Sequence, residues 1–301
     1  MIRLSIIVPA VGEQTAIDAS LLSILENRPS NTEVIVACRE SYQDPYDLDD
    51  EVQFVRSPDE SSIATLLNSG LASCRSDRIH WLRPGVLATD GWTDSSLKLL
   101  VDGTASFVAP IILSEDGDGK IVSAGVRCGG GGSRKVIGRG VRHPSRKSVR
   151  LRADGPTIDA GFGLADALAS VGGFRSYFGP EFADADLAAR SMTLGHTCVV
   201  DTSCQLHATD LAPLGLAGFR RGRYNERLFW NTPHANNAGS LLRHAAYVSI
   251  DTLKQVPKIS TISTLVGRLF GFVDHVRRLD PSDEAIRLTR SSDHAEIRRA
   301  A

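Results

Sequence analysis

Short apolar runs and amphipathic stretches alternate along the first hundred residues of the chain. Residues 4–9 (LSIIVP) form a β-branched run closed by Pro9, which predicts a buried parallel strand. Residues 16–26 place Ile17, Leu21, Ile24 and Leu25 at helical spacing, and residues 27–31 supply a stop. Residues 33–37 and 52–55 predict two further strands, and 61–73 a helix with Ile63, Leu66, Leu67 and Leu71 on one face. A fourth strand over 78–82 is broken by Pro84 and Gly85. Strand–helix alternation with short connections predicts a mostly parallel sheet flanked by helices. Ligands of such sheets sit beyond the C-terminal strand ends, here near Pro9, Cys38 and Arg83.

The second half is less regular. A helix over 95–101 leads to a strand over 107–113, then to a glycine-rich basic stretch. Residues 158–173 read as a strand edge, a turn and a helix stopped at Gly172 and Gly173; 181–194 are helical, and 198–201 form a strand. An Arg-rich helix covers 217–230. The cleanest helical pattern lies over 261–279, where Ile259, Ile262, Val266, Leu269, Val273 and Val276 recur at spacings of three and four. Leu265, Phe272 and Leu279 widen that stripe, and Lys254, Lys258, Arg268, Arg277 and Arg278 surround it. It has three destinations: packing on the main body, pairing in a homodimer, or contact with a membrane surface. Residues 281–301 read as a polar tail. The expected organisation is an α/β domain over 1–215, a helical extension over 216–280 and the tail over 281–301.

Composition narrows the function classes. Across 301 residues, 34 Lys and Arg balance 35 Asp and Glu, a net charge of −1 that excludes a dedicated nucleic-acid binder. Apolar stretches are broken by charge well before the ~20 residues of a membrane span. Residues 4–11 lack the charged start and cleavage site of a secretory signal. Five cysteines (Cys38, Cys74, Cys128, Cys198, Cys204) form no CxxC pair, so neither a zinc site nor a disulfide frame is indicated. The expected compartment is the cytosol, with the inner face of the membrane as the alternative.

The near-zero total hides two blocks. Residues 40–51 hold six carboxylates and no Lys or Arg, while 121–153 hold no acid and nine Lys or Arg. Each block reads as a solvated loop, or, for the basic one, as a mobile segment that meets a nucleotide diphosphate or lipid phosphate. Four consecutive glycines, 129–132, open the basic stretch. Such a run can wrap N–H groups around a phosphate, although it lacks P-loop spacing and flexible-loop glycine explains it better.

The order of segments resembles the family 2 glycosyltransferases. Residues 4–9, 22–25, 33–36 and 63–70 match the family's opening half, and Leu82 with Gly91 and Trp92 continues it. Gly172, Gly173 and Phe174 resemble its "GGF" turn, and 182–187 with Arg190 and Gly195 resemble its "EDxDL…R…G" helix. His207 sits where a late histidine is frequent, and 223–227 resemble an "RN" segment of bacterial members. The resemblance spans roughly 2–210 and implies a GT-A fold, a nucleotide-sugar donor, and transfer of a hexosyl-type sugar to a glycan or lipid-linked acceptor. By the same resemblance Asp184 is the candidate catalytic base, with Glu181 as its alternative. Pro9, Cys38, Asn68, Arg83, Gly161, Asp186 and His207 are the candidate substrate-binding residues, Asp186 also as an anchor of its helix and His207 also as a core residue.

Two departures change the expected chemistry. The second strand leads into Ala37, Cys38 and Arg39 where the family has a base-reading carboxylate. The fourth leads into Arg83, Pro84 and Gly85 where the family has Asp-x-Asp holding Mn²⁺ or Mg²⁺. Hard cations want carboxylate oxygens, and none of these three side chains offers one. No metal site is therefore expected, although the family implies one. The residues leave two readings: a metal-independent transferase in which Arg83, helped by Arg134, Lys135 or Arg139, holds the diphosphate, or a degenerate homologue that binds a glycan, nucleotide or partner without turnover.

Overall fold

The computed structural model describes residues 2–142, 151–209, 216, 218–232, 235, 237–255 and 260–277. The N-terminal apolar run forms β1 (Leu4–Pro9), buried at all six positions. Helix α1 (Gln14–Glu26) follows, then β2 (Thr32–Arg39), β3 (Gln53–Ser57), α2 (Ile63–Ser73) and β4 (Arg78–Leu82). Ser62 caps α2 by accepting the backbone N–H of Thr65. Pro84 and Gly85, the latter at φ 87°, turn the chain into the short β5 (Val86–Leu87). Next come α3 (Asp94–Val101), β6 (Phe107–Ser114), β7 (Ile121–Ser123), β8 (Val126–Gly129) and β9 (Ser133–Val136). After residues 143–150, which lie outside the description, come β10 (Ala160–Leu164), α4 (Ala165–Ser170), α5 (Gly179–Thr193) and β11 (Cys198–Ala208). Helices α6 (Gly218–Trp230), α7 (Ala238–Gln255) and α8 (Ser260–Val276) close the chain.

The main sheet has the order β3-β2-β1-β4-β10-β6-β11-β5, with β7 added on β6. Strands β3, β2, β1, β4, β6 and β11 run one way, and β10, β5 and β7 run against them. The mixed, mostly parallel sheet is as expected. One face packs on α1 and α3 through Ile17, Leu21, Ile24, Leu97 and Leu100. The other packs on α2, α4 and α5 through Leu66, Leu67, Leu168, Ala183 and Leu187. His80 of β4 lies fully inside the first layer, its ring tilted against Phe162 at 3.9 Å between centroids, and burial pushes its imidazole down to about 3.

Three expectations are corrected. The stretch 121–153 is not simply a loop, because its described part builds β7 and the ribbon β8–β9. Two of its glycines serve packing: a Cβ on Gly131 would overlap the Tyr247 ring of α7, and one on Gly132 the Asn225 carbonyl of α6. Helix α7 went unanticipated, and His244 is its single buried residue. The apolar stripe of α8 does not pack on the main body; it faces outward, and Thr261, Thr264, Gly267, Arg268, Gly271 and Asp274 face in. The acidic block 40–51 is a surface connection between β2 and β3, with Glu51 paired to Arg28 at 2.9 Å. The expected tail 281–301, and Lys258, Ile259, Arg278 and Leu279 of the stripe, lie outside the described residues.

Candidate active site

Side chains alternate along a strand, so Ile79 and Trp81 of β4 point to the α2–α5 face and Arg83 follows them. Pro9, the last residue of β1, pairs with Ala37 of β2, and the β1–β4 pairing ends at Ile7 and Trp81. The antiparallel register that pairs Ala160 with Leu82 sets Asp159 opposite Arg83. Arg83 N–H donates to the Asp159 carbonyl at 2.8 Å, and its guanidinium reaches the Asp159 carboxylate at 3.2 Å. Both side chains are close to 10% exposed, at the C-terminal mouth of the parallel strands.

A second pair lies beneath the first. Arg134 of β9 grips Asp184 of α5 in a two-pronged bond, Nε to Oδ1 at 2.7 Å and a terminal nitrogen to Oδ2 at 2.6 Å. The backbone N–H of Ile158 adds a third bond to Asp184 Oδ2 at 3.1 Å. No part of the Asp184 side chain is exposed. Asp159 feels both pairs. Burial, its largest influence, raises its carboxyl above the ordinary aspartate value, against Arg83 and with Asp184 adding to the rise. Arg134 and the exposed Arg139 pull it back only in part. Lys135 points to solvent.

The other expected residues divide. His207 of β11 pairs with Leu87 and Leu113, and alternation from the buried Leu206 puts it half-buried on the same face as Arg83. Cys38 belongs to the opposite face, packed with Val36 and Ile17, where burial raises its thiol. Asn68 clamps the Gly172–Phe174 turn: its amide donates to Phe174 O at 2.7 Å and accepts Phe174 N–H at 2.9 Å. Gly161 exists for contact, since a Cβ there would overlap Trp81 and Pro156. Asp186 holds Arg190 through bonds at 2.8 and 2.6 Å, and Arg190 donates to the Val171 and Gly173 carbonyls behind the same turn. Glu181 is buried in the first turn of α5, with Arg220 at 3.6 Å from Oε1 and no hydrogen bond to Oε2.

Asp159 is the residue the sequence reading passed over. It is an acid directly before a short strand, and nothing local announces that this strand runs antiparallel beside β4. The residues at the end of β4 do not fit a divalent cation, because Arg83 brings positive charge to the mouth and occupies the adjacent carboxylate. Among the described residues no group of three or more His, Cys, Asp or Glu could hold a metal. A hollow of about 500 Å³, lined by Glu33, Asp49, Glu51 and Arg75 among others, sits at the N-terminal ends of β2 and β3, away from this cluster.

No family model matches the chain, and no curated protein matches it. Solved structures do. Residues 1–349 of S. aureus TarS superpose with a TM-score of 0.57 at 13% identity, covering 91% of this chain and 80% of that one. The chain has a GT-A-like fold. The same TarS fragment in complex with UDP-GlcNAc matches at TM-score 0.57 and 11% identity, over 91% of this chain and 81% of that one. Mannosyltransferase PcManGT from Pyrobaculum calidifontis, in complex with GDP-Man and Mn²⁺, matches at TM-score 0.51 and 14% identity, over 92% and 88%. In this fold the Arg83–Asp159 pair stands at the end of β4.

Proposed function

We propose that the protein is a glycosyltransferase that uses a guanidinium in place of the divalent cation that the family 2 resemblance implies. The observation that carries this reading is Arg83 at the end of β4, held by Asp159 at the mouth of the parallel strands. The named ligands of the similar structures, UDP-GlcNAc and GDP-Man, support a nucleotide-sugar donor. A glycan or a lipid-linked sugar is the proposed acceptor.

Transfer forms a bond from the acceptor oxygen to the anomeric carbon as that carbon's bond to the diphosphate oxygen breaks. The departing electron pair stays on the diphosphate, and Arg83, helped by the exposed Arg139, stabilises that charge. The acceptor proton needs a carboxylate. Asp184, the base implied by family resemblance, has three donors on its two oxygens and no exposed surface. Asp159 lies nearer the mouth, about 10% exposed, and its Oδ1 has Arg83 as its ion-pair partner in place of three hydrogen-bond donors. We assign proton acceptance to Asp159 and the positioning of Arg134 to Asp184.

One observation favours the second reading, a binding module without turnover: both site carboxylates are already paired with arginines. A panel of UDP-, GDP- and dTDP-sugars separates the two. Release of nucleoside diphosphate in EDTA, abolished by Asp159→Asn and Arg83→Gln, supports transfer. Nucleotide binding with no release from any donor supports the module.

A further inference from the structure

Helix α8 is inside out. Its inward side carries Gly267 and Gly271, where a Cβ would press on the Phe219 and Arg223 carbonyls of α6, and its two charged side chains. Arg268 reaches Glu226 at 3.1 Å, and Asp274 accepts from Arg223 and Arg227 at 2.7 and 2.8 Å. Its outward side presents Ile262, Leu265, Leu269, Phe270, Phe272 and Val276, each 40% exposed or more. Placed 100° apart in sequence order, these residues span about half the helix circumference, wider than a two-stranded coiled-coil seam. Helix α7, linked to α8 by Arg268 and Asp251, adds exposed Leu242, Ile250 and Leu253.

Charge decides the occupant. The acids of α7 and α8, Asp251 and Asp274, are turned inward in ion pairs. The exposed ionisable groups along the described parts of these helices and their ends are Arg243, Lys254, His275 and Arg277, all bases. Two copies joined through this face would set like charges together with no carboxylate to answer them. An anionic lipid surface answers them and receives the apolar side. No helix among the described residues is long and apolar enough to cross a membrane.

We propose that α7 and α8 dock the protein on a bilayer rich in anionic lipid, with α8 in the interfacial plane and its outward side among the acyl chains. Docking is independent of whether sugar is transferred. The test pellets the full chain with vesicles of phosphatidylcholine alone and of phosphatidylcholine with about one third phosphatidylglycerol. The chain should pellet with the anionic vesicles, less so in high salt. Ile262→Glu with Leu269→Glu should weaken partitioning about tenfold or more, with the melting temperature kept because both positions are more than 60% exposed. Lys254→Glu with Arg277→Glu should remove the preference for anionic lipid. Equal partitioning to both vesicles, or none to either, overturns the proposal. So does a dimer in light scattering that Ile262→Glu with Leu269→Glu converts to monomer.

Discussion

Arg83 and Asp159 meet across the junction of β4 and β10, guanidinium to carboxylate at 3.2 Å, with a main-chain hydrogen bond of 2.8 Å beside them. The register of two antiparallel strands thus puts a cation and an acid of raised proton affinity at the mouth of the parallel strands. Breaking such a buried pair strands one charge. Arg83→Met should therefore cost about 3 kcal/mol in urea unfolding, and adding Asp159→Leu should recover most of the loss. A single variant as stable as the native chain would show that the pair is not formed.

The pH dependence should run in opposite directions at two carboxyls. Asp159 is raised above 3.8, chiefly by burial, so the folded state keeps a proton that the unfolded chain releases. That stabilisation is present below 3.8 and is lost as pH rises through the raised value. Relative to the native chain, Asp159→Asn should gain melting temperature as pH climbs through that window. At Asp274 burial works toward a higher value, yet the bonds from Arg223 and Arg227 outweigh it and hold the carboxyl below 3.8. Its contribution is present above 3.8 and is lost as pH falls through the lowered value, so Asp274→Asn should cost most near neutrality and least in acid. Parallel curves for variant and native chains would contradict both assignments.

Asn68 should prove a positioning residue of the fold. Asn68→Ala leaves the buried N–H and carbonyl of Phe174 without partners, which costs about 2 kcal/mol in denaturant unfolding. Nucleotide affinity should stay unchanged in the folded variant. A weakened affinity with intact stability would return Asn68 to the substrate.

The two sides of α8 should respond in reverse of the usual helix. Gly267→Ala drives a methyl into the Phe219 carbonyl and should cost about 2 kcal/mol or separate α8 from α6. Leu269→Ala, 61% exposed, should change stability by less than about 0.5 kcal/mol. Urea melts of the two variants check this directly.

The parallel half of the sheet was legible because β1, β2 and β4 are local: each is a short apolar run ended by Pro, Gly or charge, and each is followed by its helix or turn. The departure at Arg83 could be read for the same reason. Asp159 could not, because its meaning depends on β10 lying antiparallel between β4 and β6, a long-range pairing without a local signature. The Arg134–Asp184 bond was hidden likewise, joining residues 50 positions apart. Helix α8 was read correctly as a helix, but periodicity names a stripe without saying which way it faces. The small Gly267 and Gly271 turned its other side inward, where polar partners on α6 were waiting. Gly131 and Gly132 looked like a loop because their partners, Tyr247 and Asn225, come from helices far later in the chain.

The central claim, that a guanidinium replaces the divalent cation at this mouth, is tested most directly by calorimetric titration of UDP and GDP. The native chain and Arg83→Gln would each be titrated in EDTA and in Mn²⁺. For whichever nucleotide binds, equal affinity in both buffers is expected, with a loss of about tenfold or more in the folded Arg83→Gln. Binding that needs Mn²⁺, or that is unchanged in Arg83→Gln, would contradict it.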